Sequence, residues 1–489
     1  MTRLFGTDGV RGIVGEWPLV PEFALALGKA AGAVLAADSK RPAVVVGRDT
    51  RQSGPMLQSA LVAGLLASSA DVLELGVITT PGVSWLTKRL GLSAGVVISA
   101  SHNPVEQNGI KFFGPQGLKL PEAVEHEIER LADPRPEDTT PNVMRPLAKP
   151  GRIMDGRGMH ELYLEGLLAE HHDLRLDRLT LVLDCANGAA SEYAPELFAR
   201  AGADVVAIHA SPTGLNINVN AGSESVRQWP GKMKDLIRSH HANFGLAFDG
   251  DADRVIFVDE NGGVVDGDHM LGMLARYLDG NNQLLARSVV TTTMRNAGLK
   301  KFVETAGLQM YETPVGDKYV AEKLLELRRD PPPGALGLGG EQSGHVILLD
   351  DDHTTGDGMR TALFVMRAFL ESGAASMAEF AAGIGKTPQV IASAGVGRGP
   401  RLDKFALADV ETQTLGDNPG LTRINLRYSG TEPKFRAMLE SDGQQSEEAL
   451  AEIALKICRQ AQAVAGMEHA QADVEIQDCS RGGLLRTTD

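Results

Sequence analysis

Three segments of the chain repeat one plan: a short β-branched run, a polar or glycine-containing loop, a helical stretch, and a second β-rich run introduced by Ala or Gly. The first leads from Val44-Val45-Val46-Gly47-Arg48-Asp49 to Ala70-Asp71-Val72-Leu73-Glu74-Leu75, and the second from Leu181-Val182-Leu183-Asp184 to Ala203-Asp204-Val205-Val206-Ala207-Ile208. The third leads from Ser288-Val289-Val290-Thr291-Thr292 to Leu308-Gln309-Met310-Tyr311. Strand alternating with helix places helices over a mostly parallel sheet, and ligands of such layers meet the loops at the strand C-termini. The fold class expected is therefore α/β, and 489 residues at roughly 150 per domain allow about three domains, with two or four also open.

Punctuation along the chain sets the boundaries. Asp133-Pro134-Arg135-Pro136-Glu137-Asp138-Thr139-Thr140-Pro141 reads as a linker or surface insertion, which puts a first boundary near 150. A second falls near Glu260-Asn261-Gly262-Gly263, and a third at 383–387 after a helix. From Val390 the pattern changes to short strands around two polar loops, followed by a helix over 447–462. The units expected are 1–150, 151–260, 261–383 and 384–466, with 467–489 as a partly ordered tail.

Composition excludes several function classes. With 43% hydrophobic and 23% charged residues the chain is ordinary globular protein. Its 48 Lys and Arg against 63 Asp and Glu give a net charge of −15, which argues against nucleic acid or an anionic membrane as partner, so an anionic ligand needs locally gathered cations. The three cysteines, Cys185, Cys458 and Cys479, lack metal-type or CxxC spacing and fit a reducing cytoplasm. No signal-type apolar region opens the chain, and the greasiest stretches, 23–37 and 60–70, are interrupted by Lys29 or too short to span a bilayer.

Four loops carry chemistry. Val96-Val97-Ile98-Ser99-Ala100 reads as a buried strand that stops at Ser101-His102-Asn103-Pro104, because the Asn-Pro step forbids simple continuation. A serine hydroxyl held there can accept and return a phosphoryl group with help from a metal and a base, and Asn108-Gly109-Ile110-Lys111 returns Lys111 toward it as a cation or general base. The same residues also fit a plain turn, and the nucleophile elbow G-x-S-x-G is absent.

After Phe244-Gly245-Leu246-Ala247-Phe248 come Asp249, Asp251 and Asp253, three carboxylates at alternate positions able to converge on one hard divalent cation. With Glu260 they match the first, third, fifth and twelfth positions of a calcium EF-hand, but Arg254 stands where that loop needs Gly and the flanks read as strands, which favours Mg²⁺. Arg254 suits a phosphoryl group shared between metal and guanidinium.

The third loop, Gly337-Leu338-Gly339-Gly340-Glu341-Gln342-Ser343-Gly344-His345, combines a carboxylate, an amide, a hydroxyl and an imidazole, a set suited to sugar hydroxyls and equally compatible with a glycine-rich turn. The fourth, Arg427-Tyr428-Ser429-Gly430-Thr431-Glu432-Pro433 with Arg436 beyond, is a phosphate-cradle candidate, with a hairpin carrying solvated arginines as the alternative.

Together the loops specify phosphoryl transfer on a phosphorylated polyol. Ser99-Ala100-Ser101-His102-Asn103-Pro104, the 249–254 loop, the 340–345 loop and the 427–433 loop, opened by Phe5-Gly6-Thr7-Asp8-Gly9-Val10-Arg11-Gly12, resemble the signatures of the α-D-phosphohexomutase superfamily, in family order, to about residue 465. That resemblance implies three similar α/β domains with mixed, mostly parallel sheets, and a smaller C-terminal α+β domain, around a central cleft. It implies an intramolecular phosphotransferase of the isomerase class in which Ser101 is phosphorylated and, with Asp249, Asp251 and Asp253, holds one Mg²⁺. A sugar bisphosphate is the implied intermediate and activator.

In the same reading Arg11 contacts the phosphoserine, and Lys111, His102 and His345 are candidates for proton transfer. Glu341, Gln342 and Ser343 read hydroxyls, and Asp317-Lys318 form a specificity loop. The stationary phosphate falls to Arg427, Ser429, Gly430, Thr431 and Arg436. The GEQSGH loop and the Phe5-Gly6-Thr7-Asp8-Gly9 opening are similar to members that interconvert glucosamine 6-phosphate and glucosamine 1-phosphate for cell-wall precursors. The alternatives are members acting on mannose or glucose phosphates, a metal-dependent phosphatase, and a non-catalytic metal or sugar-phosphate binding protein. Departures occur at 221–225, which lacks a usual Cys and Thr-His, and at Arg295, where Ser is common. A small-molecule sugar phosphate is the expected partner, and oligomeric state is left open.

Overall fold

In a computed structural model, residues 4–6, 8–36, 41–133, 149–397, 399–429, 434–467 and 473–488 are described. The first sheet contains β1 (Val10–Ile13), β2 (Ala43–Arg48), β3 (Asp71–Val77), β4 (Ala94–Ile98), β5 (Gln107–Phe113) and β6 (Ile153–Asp155), ordered β1-β5-β4-β2-β3-β6. The second contains β7 (Thr180–Asp184), β8 (Asp204–Ile208), β9 (Phe244–Phe248), β10 (Val255–Val258) and β11 (Val264–Val265), ordered β11-β10-β9-β7-β8. The third contains β12 (Leu284–Thr292), β13 (Gln309–Thr313), β14 (Leu336–Gly340) and β15 (Val346–Leu349), ordered β13-β12-β14-β15.

Superposing the three orders exposes one unit: β3-β2-β4-β5, β8-β7-β9-β10 and β13-β12-β14-β15. In each, three parallel strands end in an antiparallel return. The last parallel strand of each unit, β4, β9 or β14, is buried along its whole length, as strands covered on both faces must be. The turn into the antiparallel return is the serine loop in the first unit, the acidic loop in the second and the Glu341-to-His345 loop in the third. Three of the four motifs are thus one structural position used three times.

The fourth sheet, wholly antiparallel, contains β16 (Gln389–Gly395), β17 (Leu421–Tyr428), β18 (Lys434–Ser441), β19 (Val474–Asp478) and β20 (Leu484–Thr488), ordered β17-β18-β16-β19-β20. The expected tail is corrected here: 474–478 and 484–488 complete this sheet, the first pairing directly with β16. Short alternating strands leave a weaker periodic signal than helices, which is why the sequence understates them. The first sheet likewise takes its sixth strand, β6, from beyond position 150.

Apolar packing divides the molecule unequally. One continuous cluster runs from Val45 and Trp85 in the first unit through Tyr163, Phe198 and Phe248 to Leu338, Phe364 and Ile384, so the first three units share a core. Val390, Phe435, Leu439, Leu450, Ile457 and Ile476 form a separate cluster under the fourth sheet. His171 packs into this core, 4% exposed and edge-on to Phe364.

Candidate active site

The serine loop is held by a buried arginine. Arg51, fully buried just beyond β2, donates from Nε to Asp49 (2.9 Å), from Nη1 to the carbonyls of Pro104 and Gln107, and from Nη2 to those of Ser101 and Asn103 (both 2.9 Å). All five of its N–H groups are thereby spent. The Asn218 amide donates to the carbonyls of Ser101 and Asn103 from the second domain, and Ser99 Oγ receives the Ser101 N–H while donating to Asp49. These contacts hold Ser101 at φ 53°, a left-handed conformation costly for a non-glycine residue. Arg51→Leu is therefore expected to destabilise the protein by about 3–5 kcal/mol in urea unfolding, because it leaves the buried Asp49 carboxylate without its cation and takes a donor from each of four carbonyls. A loss below about 1 kcal/mol would show that the loop is held by other means.

The acidic loop meets this serine. Ser101 Oγ donates to Asp249 Oδ2 at 2.5 Å and lies 3.3 Å from His102 Nδ1. A Cβ at Gly250 would stand 2.5 Å from the Ser101 carbonyl, so only glycine lets the two backbones approach. One oxygen or more from each of Asp249, Asp251 and Asp253 gathers within 4.8 Å, all three residues being buried. Oδ1 of Asp251 and Oδ1 of Asp253 have no hydrogen-bond partner. Burial, with Asp253 and Asp251 alongside, pushes the Asp249 carboxyl well above its usual range. Crowded, partly orphaned, oxygen-only carboxylates are what a small divalent cation requires, so the residues fit the metal expected of them. Among the described residues a second grouping of potential ligands, Glu170, Asp350 and His353, is organised differently: Arg360 pairs with both carboxylates, making it an ion-pair hub.

Of the two roles open to Lys111, cation or general base, its surroundings favour the cation. It is 2% exposed, 2.8 Å from Asp251 and 3.0 Å from Asp8. Burial would lower its ammonium, but the two carboxylates outweigh burial and hold it above its ordinary value, so it stays protonated. Thr80 donates to the same Asp251 Oδ2 at 2.6 Å. His102 is the reverse case: burial, aided by Arg254, Arg11 and Arg436, brings it down to about 3, leaving a neutral imidazole beside Ser101. Arg11 pairs with Asp8 and reaches the Ala100 carbonyl. Arg254 lies 3.6 Å from Glu224 and 3.8 Å from Asp253. His102, Asn218, Ser223, Glu224 and Trp229 line a cavity of about 230 Å³ beside the serine loop.

In the third loop His345 stands 3.6 Å from both Asp253 and Asp317, and these carboxylates raise it despite burial. Glu341 accepts from the Gly316 N–H, and its charge acts to raise both Arg254 and Arg427. The Ser343 hydroxyl is buried without a partner. Gln342 is corrected: its amide turns away from the cleft into a buried network with Asp268 and Gln389. Asp317 meets Lys119 at 2.7 Å, while Lys318 lies 3.7 Å from Glu125.

In the fourth domain Arg427 and Arg436 are direct cross-strand partners on β17 and β18. Two like charges opposed in this way repel each other, and burial with Arg436 lowers Arg427 to about 10, a pair that an anion would relieve. Ser429 is buried beside them, while Gly430 and Thr431 lie outside the described residues.

Sequence reasoning missed Asp8, Lys119, Asp49, Arg51, Thr80, Asn218 and Glu224. Arg51 carried a legible signal, since Asp49-Thr50-Arg51 follows the first repeat strand just as Ser101 follows its neighbour β4. Lys119, bridging Asp8 (2.6 Å) and Asp317, had none, because its two partners lie far apart in the chain.

The repeated domains and these loops define a phosphohexomutase, an enzyme of the isomerase class. Family models described as phosphoglucomutase/phosphomannomutase, alpha/beta/alpha domains I, II and III match residues 2–137, 161–263 and 266–386, and the chain belongs to this family, the α-D-phosphohexomutase superfamily. Within it the chain stands with the bacterial phosphoglucosamine mutases. It is 44% identical over 447 residues to the phosphoglucosamine mutase of Bacillus subtilis (strain 168), covering 90% of this chain and 95% of that one. It is 46% identical over 442 residues to that of Moorella thermoacetica, with the same shares covered. Among solved structures, a phosphoglucomutase/phosphomannomutase family protein from Burkholderia thailandensis matches with a TM-score of 0.72 at 24% identity, covering 95% of this chain and 98% of that one. Aspergillus fumigatus N-acetylphosphoglucosamine mutase in complex with glucose 1,6-bisphosphate matches with a TM-score of 0.67 at 17% identity, covering 96% of each chain. Among the described residues no helix is long and apolar enough to cross a membrane.

Proposed function

We propose that the protein interconverts glucosamine 6-phosphate and glucosamine 1-phosphate, with Ser101 as the phosphoryl carrier, in the cytoplasm. The observation that carries this reading is the meeting of Ser101 Oγ with the buried carboxylate triad at 2.5 Å. Asp249, Asp251 and Asp253, with the serine, would hold Mg²⁺, which supplies charge neutralisation to transferring phosphoryl oxygens. Lys111 and Arg254, both fixed cations, add positive charge around the same oxygens, and Arg11 faces the serine loop.

Arg427, Ser429 and Arg436, with Gly430 and Thr431, hold the stationary phosphate, and that binding energy orients the reacting end. Glu341 and Ser343 read sugar hydroxyls, while Asp317 and Lys318 border the cleft. His102, 3.3 Å from Ser101 Oγ, and His345, between Asp253 and Asp317, are the proton-transfer candidates of this reading. In the first half-reaction phosphoserine 101 gives its phosphoryl group to the free hydroxyl of the sugar monophosphate: the P–O bond to Ser101 Oγ breaks as the new one forms, the hydroxyl's proton ends on Ser101 Oγ, and a bisphosphate results. After the bisphosphate reorients, Ser101 Oγ takes its other phosphoryl group, the P–O bond to that sugar oxygen breaks, and the serine's proton goes to that oxygen, so phosphate and proton are conserved and the isomer is released.

Mutase assays on the 1-phosphates of glucosamine, glucose and mannose, with Mg²⁺ and trace bisphosphate, test this. Preference for the glucosamine compound by at least about tenfold in kcat/KM is expected. A preference for glucose or mannose would keep the chemistry and overturn the substrate, and steady release of inorganic phosphate would overturn the mutase mechanism.

A further inference from the structure

The fourth domain has its own apolar core, so its junction with the third domain rests on polar contacts, and one side chain at the centre of that junction belongs to the sugar-reading loop. The Gln389 amide donates to the carbonyls of Met294 (3.4 Å) and Arg295 (3.2 Å), which turns its Oε1 toward Gln342. Gln342 therefore presents Nε2, donating to Gln389 Oε1 at 2.8 Å and to Asp268 Oδ2 at 3.0 Å. Acceptors on both sides leave this amide one workable orientation. Asp268 Oδ2 also receives the Asn296 N–H and Lys386 Nζ, and Asn296 bonds the backbone of Thr387 on both its N–H and its carbonyl.

The loop itself is wedged at its backbone. The Gly267 N–H donates to the Gln342 carbonyl, and a Cβ at Gly267 would lie 1.9 Å from the Glu341 carbonyl oxygen. At the loop's other end the Val255 N–H, next to Arg254, donates to the Gly344 carbonyl. The loop carrying Glu341 and Ser343 is thus tied to the metal loop at one end and to the 383–389 connection at the other.

We infer that Gln342 and Gln389 are positioning residues that latch the sugar-reading loop to the 383–389 connection into the fourth domain, setting where the Arg427 and Arg436 cradle stands relative to Ser101. The inference deepens the proposed function and shares its substrate, but half of its test needs no substrate.

In hydrogen exchange on the ligand-free protein, Gln342→Met and Gln389→Met are each expected to speed exchange at the Thr387 and Gln389 amides by about tenfold, since each leaves buried partners unpaired. In mutase assays with glucosamine 1-phosphate each is expected to raise KM by about tenfold while kcat changes less than about threefold, because the reacting groups are untouched. The double variant should be no worse than either single one. Faster exchange without any turnover on glucosamine 1-phosphate would uphold the latch and sink the substrate reading. If Gln342→Met changed hexose preference with exchange unaltered while Gln389→Met was silent, Gln342 would be a sugar reader and the latch wrong. Silence of both variants would also overturn it. Gln342→Leu serves as the second variant should Gln342→Met not fold.

Discussion

Ser101→Ala is expected to remove mutase turnover by at least roughly a thousandfold, the scale seen when a covalent carrier is deleted. The serine stands in a left-handed backbone fixed by Arg51 and Asn218, with its hydroxyl on Asp249 and a neutral imidazole 3.3 Å away. Among the described residues no other hydroxyl bonds to a carboxylate of the triad except that of Thr80, which is buried and donates to Asp251 from a helix start. The alanine variant should still bind sugar monophosphate, because the phosphate cradle lies on a different domain. Intact-mass measurement should find a phosphoryl group on the parent protein and none on the variant. Undiminished turnover, or a phosphoryl group that persists in the variant, would rule out Ser101 as the carrier.

Asp251→Asn carries the second large effect. Asp251 Oδ2 serves Lys111 and Thr80, while the buried Oδ1 has no hydrogen-bond partner. Asparagine keeps the shape but removes a charge from the triad and leaves the Lys111 ammonium, 2% exposed, with Asp8 as its close partner. Turnover is expected to fall roughly 10²–10³-fold, the size of effect for losing one preorganised electrostatic group. Mg²⁺ affinity, read by calorimetric titration, should weaken at least about tenfold. If turnover and its Mg²⁺ dependence both survived, the 249–253 loop would not be the metal site.

Much of this was legible in the chain. The repeat of strand, helix and strand predicts α/β layers, and each motif follows an apolar run, so Ser101, the three aspartates and the Glu341-to-His345 loop fall at strand ends by sequence alone. The alternate spacing of Asp249, Asp251 and Asp253 named a cation because like charges so close repel unless paired. Arg427 and Arg436 were readable for the same reason, as cations gathered in an acidic chain.

Other roles were not readable from composition or spacing. The sequence leaves Lys111 open as cation or base, and its burial between Asp251 and Asp8 is what favours the cation. Gln342 sits among residues that face the cleft, yet alternate residues of a tight loop point opposite ways, and its amide found partners 74 and 47 positions away. The last strands, β19 and β20, escaped notice because an antiparallel edge is stabilised by its neighbours more than by its own pattern.

The sequence by itself determined the layers, the position of each loop at a strand end, and the chemistry each loop carries, because those follow from local periodicity and from charges a few residues apart. The tertiary structure decided which charges cancel, which side chains face the cleft, and how the three equivalent loops converge, because burial and long-range pairing are properties of the folded chain alone.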